Sequence, residues 1–336
     1  MTLELPAWSG PLIGECQISG EDVDVALKLA ADYGRLLPQP GWGETARRWA
    51  VLAAAGEHNL TVARVLEAHS DALAILSEAG AATPDGTWGV FAAEAAPHRL
   101  EARDSGGQVT LTGVKPWCSL AARLDAALVT AHVGSDERQL FRVSLRHPSV
   151  TAQPPGAWVA RGLRRVVSAP VRFDATPAEP VGPPGWYLTR PGFAWGGMGV
   201  AACWHGGARG LRTTLMRGSA GRAGDLAAMH VGLVDAVLHA AETVLADAAA
   251  VIDSGQARGG AGEVLDLRVR ATVADAVERT IRQVGHALGP APLAFDEEHA
   301  RRVADLELYV RQHHGERDLA RLGAAMLAAQ SGRSAA

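Results

Sequence analysis

Gln108-Val109-Thr110-Leu111-Thr112-Gly113-Val114-Lys115-Pro116-Trp117-Cys118-Ser119 is the stretch on which the reading of this chain turns. Its first five residues alternate polar and apolar side chains, the period of a half-buried strand. Gly106-Gly107 just before it is a hairpin-turn signal. Leu124 to Val133 and Leu140 to Leu145 are further β-rich runs. Arg164 to Phe173 is another, with Pro170 confining it to an edge or a bulge. Short strands with turn punctuation predict a small barrel or sandwich over residues 87–183.

On both sides the texture is helical. Upstream, Trp49, Leu52 and Ala53 and then Leu60, Ala63 and Leu66 recur at three- and four-residue spacings, and a second helix is expected from Ala68 to Leu76, ending before Gly80. Pro38-Gln39-Pro40-Gly41-Trp42-Gly43 interrupts this zone as a turn. Downstream of Pro183-Pro184-Gly185, Leu226, Met229, Leu233, Val237 and Val244 form one helical stripe, and Val269, Val273, Val277, Ile281, Val284 and Leu288 form another. A last helix is expected from Glu297 to the region of His313. The fold class is therefore α+β and multidomain, because helices, strands and helices follow one another in blocks instead of alternating. The expected divisions are an N-terminal α-helical domain over 1–86, a middle β domain over 87–183 and a four-helix-bundle-like α domain over 184–336.

Composition narrows the function classes. The 336 residues are 48% hydrophobic, which argues against disorder, and the formal net charge of −4 offers no basic field for nucleic acid. Cys16, Cys118 and Cys203 are too scattered for a disulfide framework and suit reduced thiols in a cytoplasm. Met1 to Gly10 lacks a signal-peptide pattern, and the apolar run Phe193 to Trp204 is too short for a membrane span. No G-x-G-x-x-G, Walker loop, H-E-x-x-H, C-x-x-C or G-x-S-x-G occurs, so Rossmann, metal and serine-hydrolase chemistry lack support, and no metal is expected. Gly196-Gly197-Met198-Gly199 follows no convincing strand and reads as close helix packing.

The Gly–Lys–Trp–x–Ser run after an alternating strand resembles the middle-domain flavin motif of the acyl-CoA dehydrogenase superfamily. In that reading the Trp117 indole packs on the isoalloxazine, and the Ser119 hydroxyl, two residues on and on the same strand face, bonds the flavin near its reactive nitrogen. The same pair also fits an ordinary core tryptophan with a surface serine. Arg161-Gly162-Leu163-Arg164-Arg165-Val166, followed by Val171-Arg172-Phe173-Asp174, resembles the family's second middle-domain stretch. Arg217-Gly218-Ser219-Ala220-Gly221-Arg222 stands where the family has an Arg-x-x-Phe-Gly element, which implies that Arg217 reaches a neighbouring subunit's flavin diphosphate. Gln283 to Gly289, with Gln283 and Gly285, resembles the family's dinucleotide-holding turn. The resemblance implies FAD between the last two domains and a homodimer or homotetramer.

The family's carboxylate base has no counterpart here. Aligning Asp305-Leu306-Glu307-Leu308-Tyr309 with the family's segment puts His313 at the base position, with His314 beside it and Glu307 as a fallback. An imidazole can serve as a base near neutral pH, and the same pair also fits a solvated cap before Gly315. Glu94 remains from the family's middle-domain Glu but is followed by Ala95-Ala96-Pro97-His98. His69 fits an interfacial packing role, or, with Ser119 and His313, resembles the His–Ser–His trio of flavin monooxygenases on this scaffold. Trp195 and Trp204 are candidates for cavity walls or packing. The expectation is an FAD-dependent oxidoreductase acting on a CH–CH bond of a small-molecule substrate such as an acyl-CoA thioester. The alternatives are a reduced-flavin monooxygenase or a non-catalytic member with a binding role.

Overall fold

The computed structural model describes residues 5–154, 156, 158–220 and 224–334. The chain opens with helices α1 (Ser9–Ile18), α2 (Val23–Tyr33), α3 (Thr45–His58) and α4 (Leu60–Glu78). Asp22 caps α2 by accepting from the Asp24 and Val25 amides. The break in this zone falls at Asn59, whose side-chain oxygen accepts from Val62 N at 3.1 Å, so α4 runs unbroken through the point where two helices were expected. The turn before α3 is pinned from a distance, since Asp253 accepts from Gly43 N, Thr45 N and the Thr45 hydroxyl.

The strands are β1 (Trp88–Phe91), β2 (Leu100–Ser105), β3 (Gln108–Ser119), β4 (Ala126–Val133), β5 (Glu137–Ser144), β6 (Val150–Ala152) and β7 (Ser168–Val181). Their order is β1-β4-β2-β3-β7-β5, with β6 on β7. Because β4 also pairs with β5 along its whole length, the sheet closes on itself as a barrel. Gly106 and Gly107, both at positive φ, make the β2–β3 turn between the paired Ser105 and Gln108. Gly113 is obligatory in the strand itself, since a Cβ there would stand 2.3 Å from the Arg99 carbonyl oxygen. The expected strand from Arg164 begins only at Ser168, and Pro170 lies opposite the bulge between Lys115 and Cys118, where no amide is required of it.

The helices after the barrel are α5 (Trp186–Thr189), α6 (Pro191–Ser219), α7 (Asp225–Asp253), α8 (Gly259–Leu288), α9 (Ala291–Phe295), α10 (Glu297–Tyr309) and α11 (Glu316–Ser334). The core runs through α6, where Trp204 is fully buried, and Gly206 lets α6 lie directly on α3. The α8 stripe faces this core, with Val269, Val273, Val277 and Val284 buried. The α7 stripe divides, with Leu226 74% exposed and Met229 and Leu233 also exposed, while Val237 and Val244 are half-buried against the core. Val234, Leu238, Ala241 and Leu245 take the core instead. Among the described residues no helix is long and apolar enough to cross a membrane.

Candidate active site

The end of β3 is built by strain. Trp117 sits at φ 59° and Leu120 at φ 56°, left-handed values that non-glycine residues rarely adopt. The bulge leaves the Trp117 indole 56% exposed, edge-on to Trp158 with ring centroids 6.5 Å apart. Strand alternation was expected to put Trp117 and Ser119 on one face. The positive φ breaks that alternation, and Ser119 is turned inward to a space that Trp117 does not line. Cys118 between them is fully buried, and burial pushes its thiol well up.

Beside the tryptophan pair lies a cleft of about 790 Å³, walled by Cys118, Arg123, Gln153, Trp158 and Arg165 from the barrel and by the Glu21–Asp24 turn. Two ion pairs cross it, Arg164 with Glu21 and Arg123 with Asp24. The Trp158 Nε1 group is buried without a hydrogen-bond partner. Arg165 is exposed and carries no ion pair or hydrogen bond among the described residues.

Away from the cleft, Ser119 joins three parts of the fold. Its hydroxyl lies 2.7 Å from that of Ser168 on β7 and accepts from Arg64 Nη2 at 3.5 Å. Arg64 on α4 donates through Nη1 to Glu67 Oε2 at 2.9 Å and stacks over the Tyr309 ring at 5.8 Å. The Tyr309 hydroxyl donates to the same Glu67 oxygen at 3.3 Å. Burial raises the Glu67 carboxyl above its usual range, with the Arg64 charge and the Tyr309 hydrogen bond opposing. Arg64 and Ser119 also line a void of about 20 Å³.

The strand's lysine has a different fate. Lys115 is fully buried within the barrel, bonded to Glu94 and to the Thr130 hydroxyl at 2.8 Å. Glu94 also faces His132 at 3.6 Å and Arg138 at 3.7 Å. Burial alone would raise Glu94, but Lys115 and then Arg138 outweigh it and hold the carboxyl below its usual range.

The proposed histidine trio is not gathered around one cavity. His69 is buried, its Nδ1 accepts from Trp88 N at 3.1 Å, and its ring packs on Gly34. Burial pushes His69 down to about 4, so it stays neutral. His313 and His314 line a separate cavity of about 320 Å³ with Glu278, Arg311 and Arg317. His313 Nδ1 approaches Asp318 Oδ2 at 3.3 Å without hydrogen-bond alignment, and His314 is 66% exposed. Burial lowers His313, with Asp318 opposing.

Arg217 lines an open groove of about 400 Å³ with Thr214, Leu288 and Phe295, apart from the cleft beside Trp158. Of its motif, Gly221 and Arg222 lie outside the described residues. Gln283 is taken up by His230 at 3.0 Å, and open space surrounds Gly285. Trp195 lines a cavity of about 70 Å³ with Trp42 and Asp71 and donates from Nε1 to the Ala257 carbonyl at 2.8 Å, while Trp204 is core.

Sequence reasoning missed Arg64, Glu67, Tyr309 and Trp158. A signal existed for the first two: they sit three apart in α4 among Val62, Ala63, Val65 and Leu66, a charged pair on a buried helix. Trp158 lies in an irregular proline-rich segment, where no periodicity could place it.

No known family's sequence profile matches the chain, and no curated protein does. Solved structures do. TdsC of Paenibacillus sp. A11-2, bound to FMN and indole, superposes with a TM-score of 0.78 at 16% identity, covering 94% of each chain. The nitrososynthase of Micromonospora carbonacea var. africana gives 0.74 at 17% identity, covering 91% of this chain and 93% of its own. A putative acyl-CoA dehydrogenase from Mycobacterium smegmatis gives 0.78 at 16% identity, covering 95% and 93%. The shared architecture is the acyl-CoA dehydrogenase-like flavoprotein fold.

Proposed function

We propose that this protein is a flavin-dependent oxidoreductase that uses reduced flavin as a monooxygenase. The observation that carries the reading is the commitment of the carboxylates at the strand end: Glu94 is held by Lys115, and Glu67 by Arg64 and Tyr309. Dehydrogenation of an acyl thioester requires a free carboxylate to take the α-proton, whereas oxygen insertion does not. TdsC, a neighbour in fold, is a dibenzothiophene monooxygenase.

The residues present fit a flavin. Trp117 and Trp158 offer exposed and edge-on aromatic surface, Trp158 Nε1 is an unpartnered donor, and Arg165 is a free cation for a phosphate. The cleft's volume suits FMN, the flavin bound in TdsC. A bound reduced flavin supplies two electrons, with which one atom of dioxygen enters the substrate and the other leaves as water. The chain's own work is to hold the flavin against Trp158 in the cleft and its phosphate on Arg165. Arg217 would serve a neighbouring copy, since its groove lies apart from the cleft and the exposed Leu226, Met229 and Phe295 offer apolar surface for a homodimer.

The test is titration with FMN and FAD, followed by aerobic turnover with chemically reduced flavin under ¹⁸O₂. Label in a product from a panel of heteroaromatic and amino-sugar substrates supports the reading. Anaerobic bleaching of bound oxidised flavin by acyl-CoA thioesters would overturn it in favour of a dehydrogenase.

A further inference from the structure

We propose that Asp305 on α10 is the positioning residue of the flavin-phosphate site, fixing the loop over residues 161–166 so that Arg165 stands ready in the cleft. The role rests on the reading of that cleft as the flavin site. Leu163 in the loop lies at φ 45°, a left-handed value that a branched side chain rarely adopts. Leu163 and Val166 are buried, and Val166 N donates back to the Leu163 carbonyl at 2.8 Å. This tight turn sends Arg164 and Arg165, the two residues between them, outward to the cleft wall. Left-handed backbone at a non-glycine residue persists only where its surroundings hold it. Here one turn of α10 does so. Leu163 N donates to Asp305 Oδ1, and Gly162 lies so close to the Ala304 carbonyl oxygen that a Cβ there would strike it.

Asp305 is 2% exposed, and among the described residues the Leu163 amide is the one donor to its side chain. Burial raises the Asp305 carboxyl to about 6, and the Leu163 hydrogen bond and the Arg301 and Arg164 charges oppose the rise. It therefore carries its charge at neutral pH and gives the loop a charge-assisted anchor. The loop's other tie is weaker. Arg164 Nε donates to Glu21 at 2.7 and 3.0 Å, but Arg164 is exposed, and exposed ion pairs hold little. Arg165, with no partner of its own, is left for a ligand. A guanidinium takes a phosphate through two parallel hydrogen bonds, so its affinity depends on where the loop sets it.

The experiment compares binding of FMN with binding of riboflavin, which carries the same ring system and no phosphate. Arg165→Ala is expected to weaken FMN about tenfold and to leave riboflavin unchanged. Asp305→Ala should weaken FMN about fivefold, with riboflavin held within about twofold, although it alters no residue of the cleft wall. Asp305→Asn keeps an oxygen for the Leu163 amide and is expected to restore most of the FMN affinity. The double variant Asp305→Ala/Arg165→Ala should lose no more than Arg165→Ala alone, because both changes act on one contact.

Equal losses for FMN and riboflavin in Asp305→Ala, no loss for either, or additive losses in the double variant overturn the positioning role. Where Asp305→Ala fails to fold, Asp305→Ser, too short to reach the amide, carries the same comparison. If the positioning role alone is wrong, Arg165→Ala still separates FMN from riboflavin. A wild type that binds FMN no tighter than riboflavin overturns the phosphate site on Arg165, and one that binds no flavin overturns the flavin reading, each taking the positioning role with it.

Discussion

Lys115–Glu94 and Arg64–Glu67 are both cation–carboxylate pairs, the first joining a fully buried lysine to a carboxylate exposed at the surface and the second having its carboxylate buried. Within the barrel, Lys115 is closed in by Glu94 and Thr130, and Glu94 gathers His132 and Arg138 besides. At the junction of α4, α10 and the end of β3, Arg64 gives one nitrogen to Glu67 and directs another toward Ser119 and an apolar void. The closed pair spends its hydrogen-bonding capacity on the barrel. The open pair keeps a charge pointed at a space that a ligand can reach. Burial of a charged pair alone therefore does not mark a site, because its hydrogen-bonding capacity can be spent within the fold.

The largest effect should separate the two pairs by stability. Arg64→Met strands the buried Glu67 carboxyl and is expected to cost about 3 kcal/mol in urea unfolding. Lys115→Met should cost less, about 1 kcal/mol, because Glu94 is exposed and keeps Arg138 and His132. Equal losses would break the comparison.

Acid sharpens it further. Glu94 has its folded pKa depressed, so its contribution is present above the unfolded carboxyl value and is lost as pH falls through the folded one. Glu67 has its folded pKa raised, so its contribution is full at low pH and is lost as pH rises through the folded value. Glu94→Gln should thus destabilise at pH 7 and converge with wild type in acid, whereas Glu67→Gln should converge in acid and lose less, or gain, at pH 7. His69, pushed down to about 4, adds stability that is full above about 6.5 and declines between there and 4.

Trp117→Ala is expected to weaken flavin binding about tenfold by fluorescence titration, while unfolding shifts by less than about 0.5 kcal/mol, because the indole is exposed. The smallest change belongs to His313→Gln, with turnover kept within about threefold, since it lines a different cavity. A loss of a hundredfold or more would return His313 to the site.

Much of the fold was legible because periodicity reports burial. The alternation of Gln108–Thr112, the Gly106-Gly107 turn and the α8 valines each constrain a local geometry that the barrel and bundle then use. The α7 stripe misled at its start, where Leu226, Met229 and Leu233 are exposed, while Val237 and Val244 lean on a core that Val234, Leu238 and Ala241 occupy. Periodicity tells which residues share a face, not which face the fold buries.

The candidate site was legible only in part. Trp117 and Ser119 were marked by their neighbours in the chain, but their divergence follows from a backbone bulge set by pairing with β7 around Pro170. Block order, strand and helix periods, turn glycines and the missing carboxylate base are properties of local residue order, and they were available without coordinates. Tertiary packing alone decided that Arg64 meets Ser119, that Tyr309 closes on Glu67 from 242 residues away, and that His69 and His313 line no common cavity. Such contacts depend on how distant segments pack, and side-chain order along the chain carries no direct record of that distance.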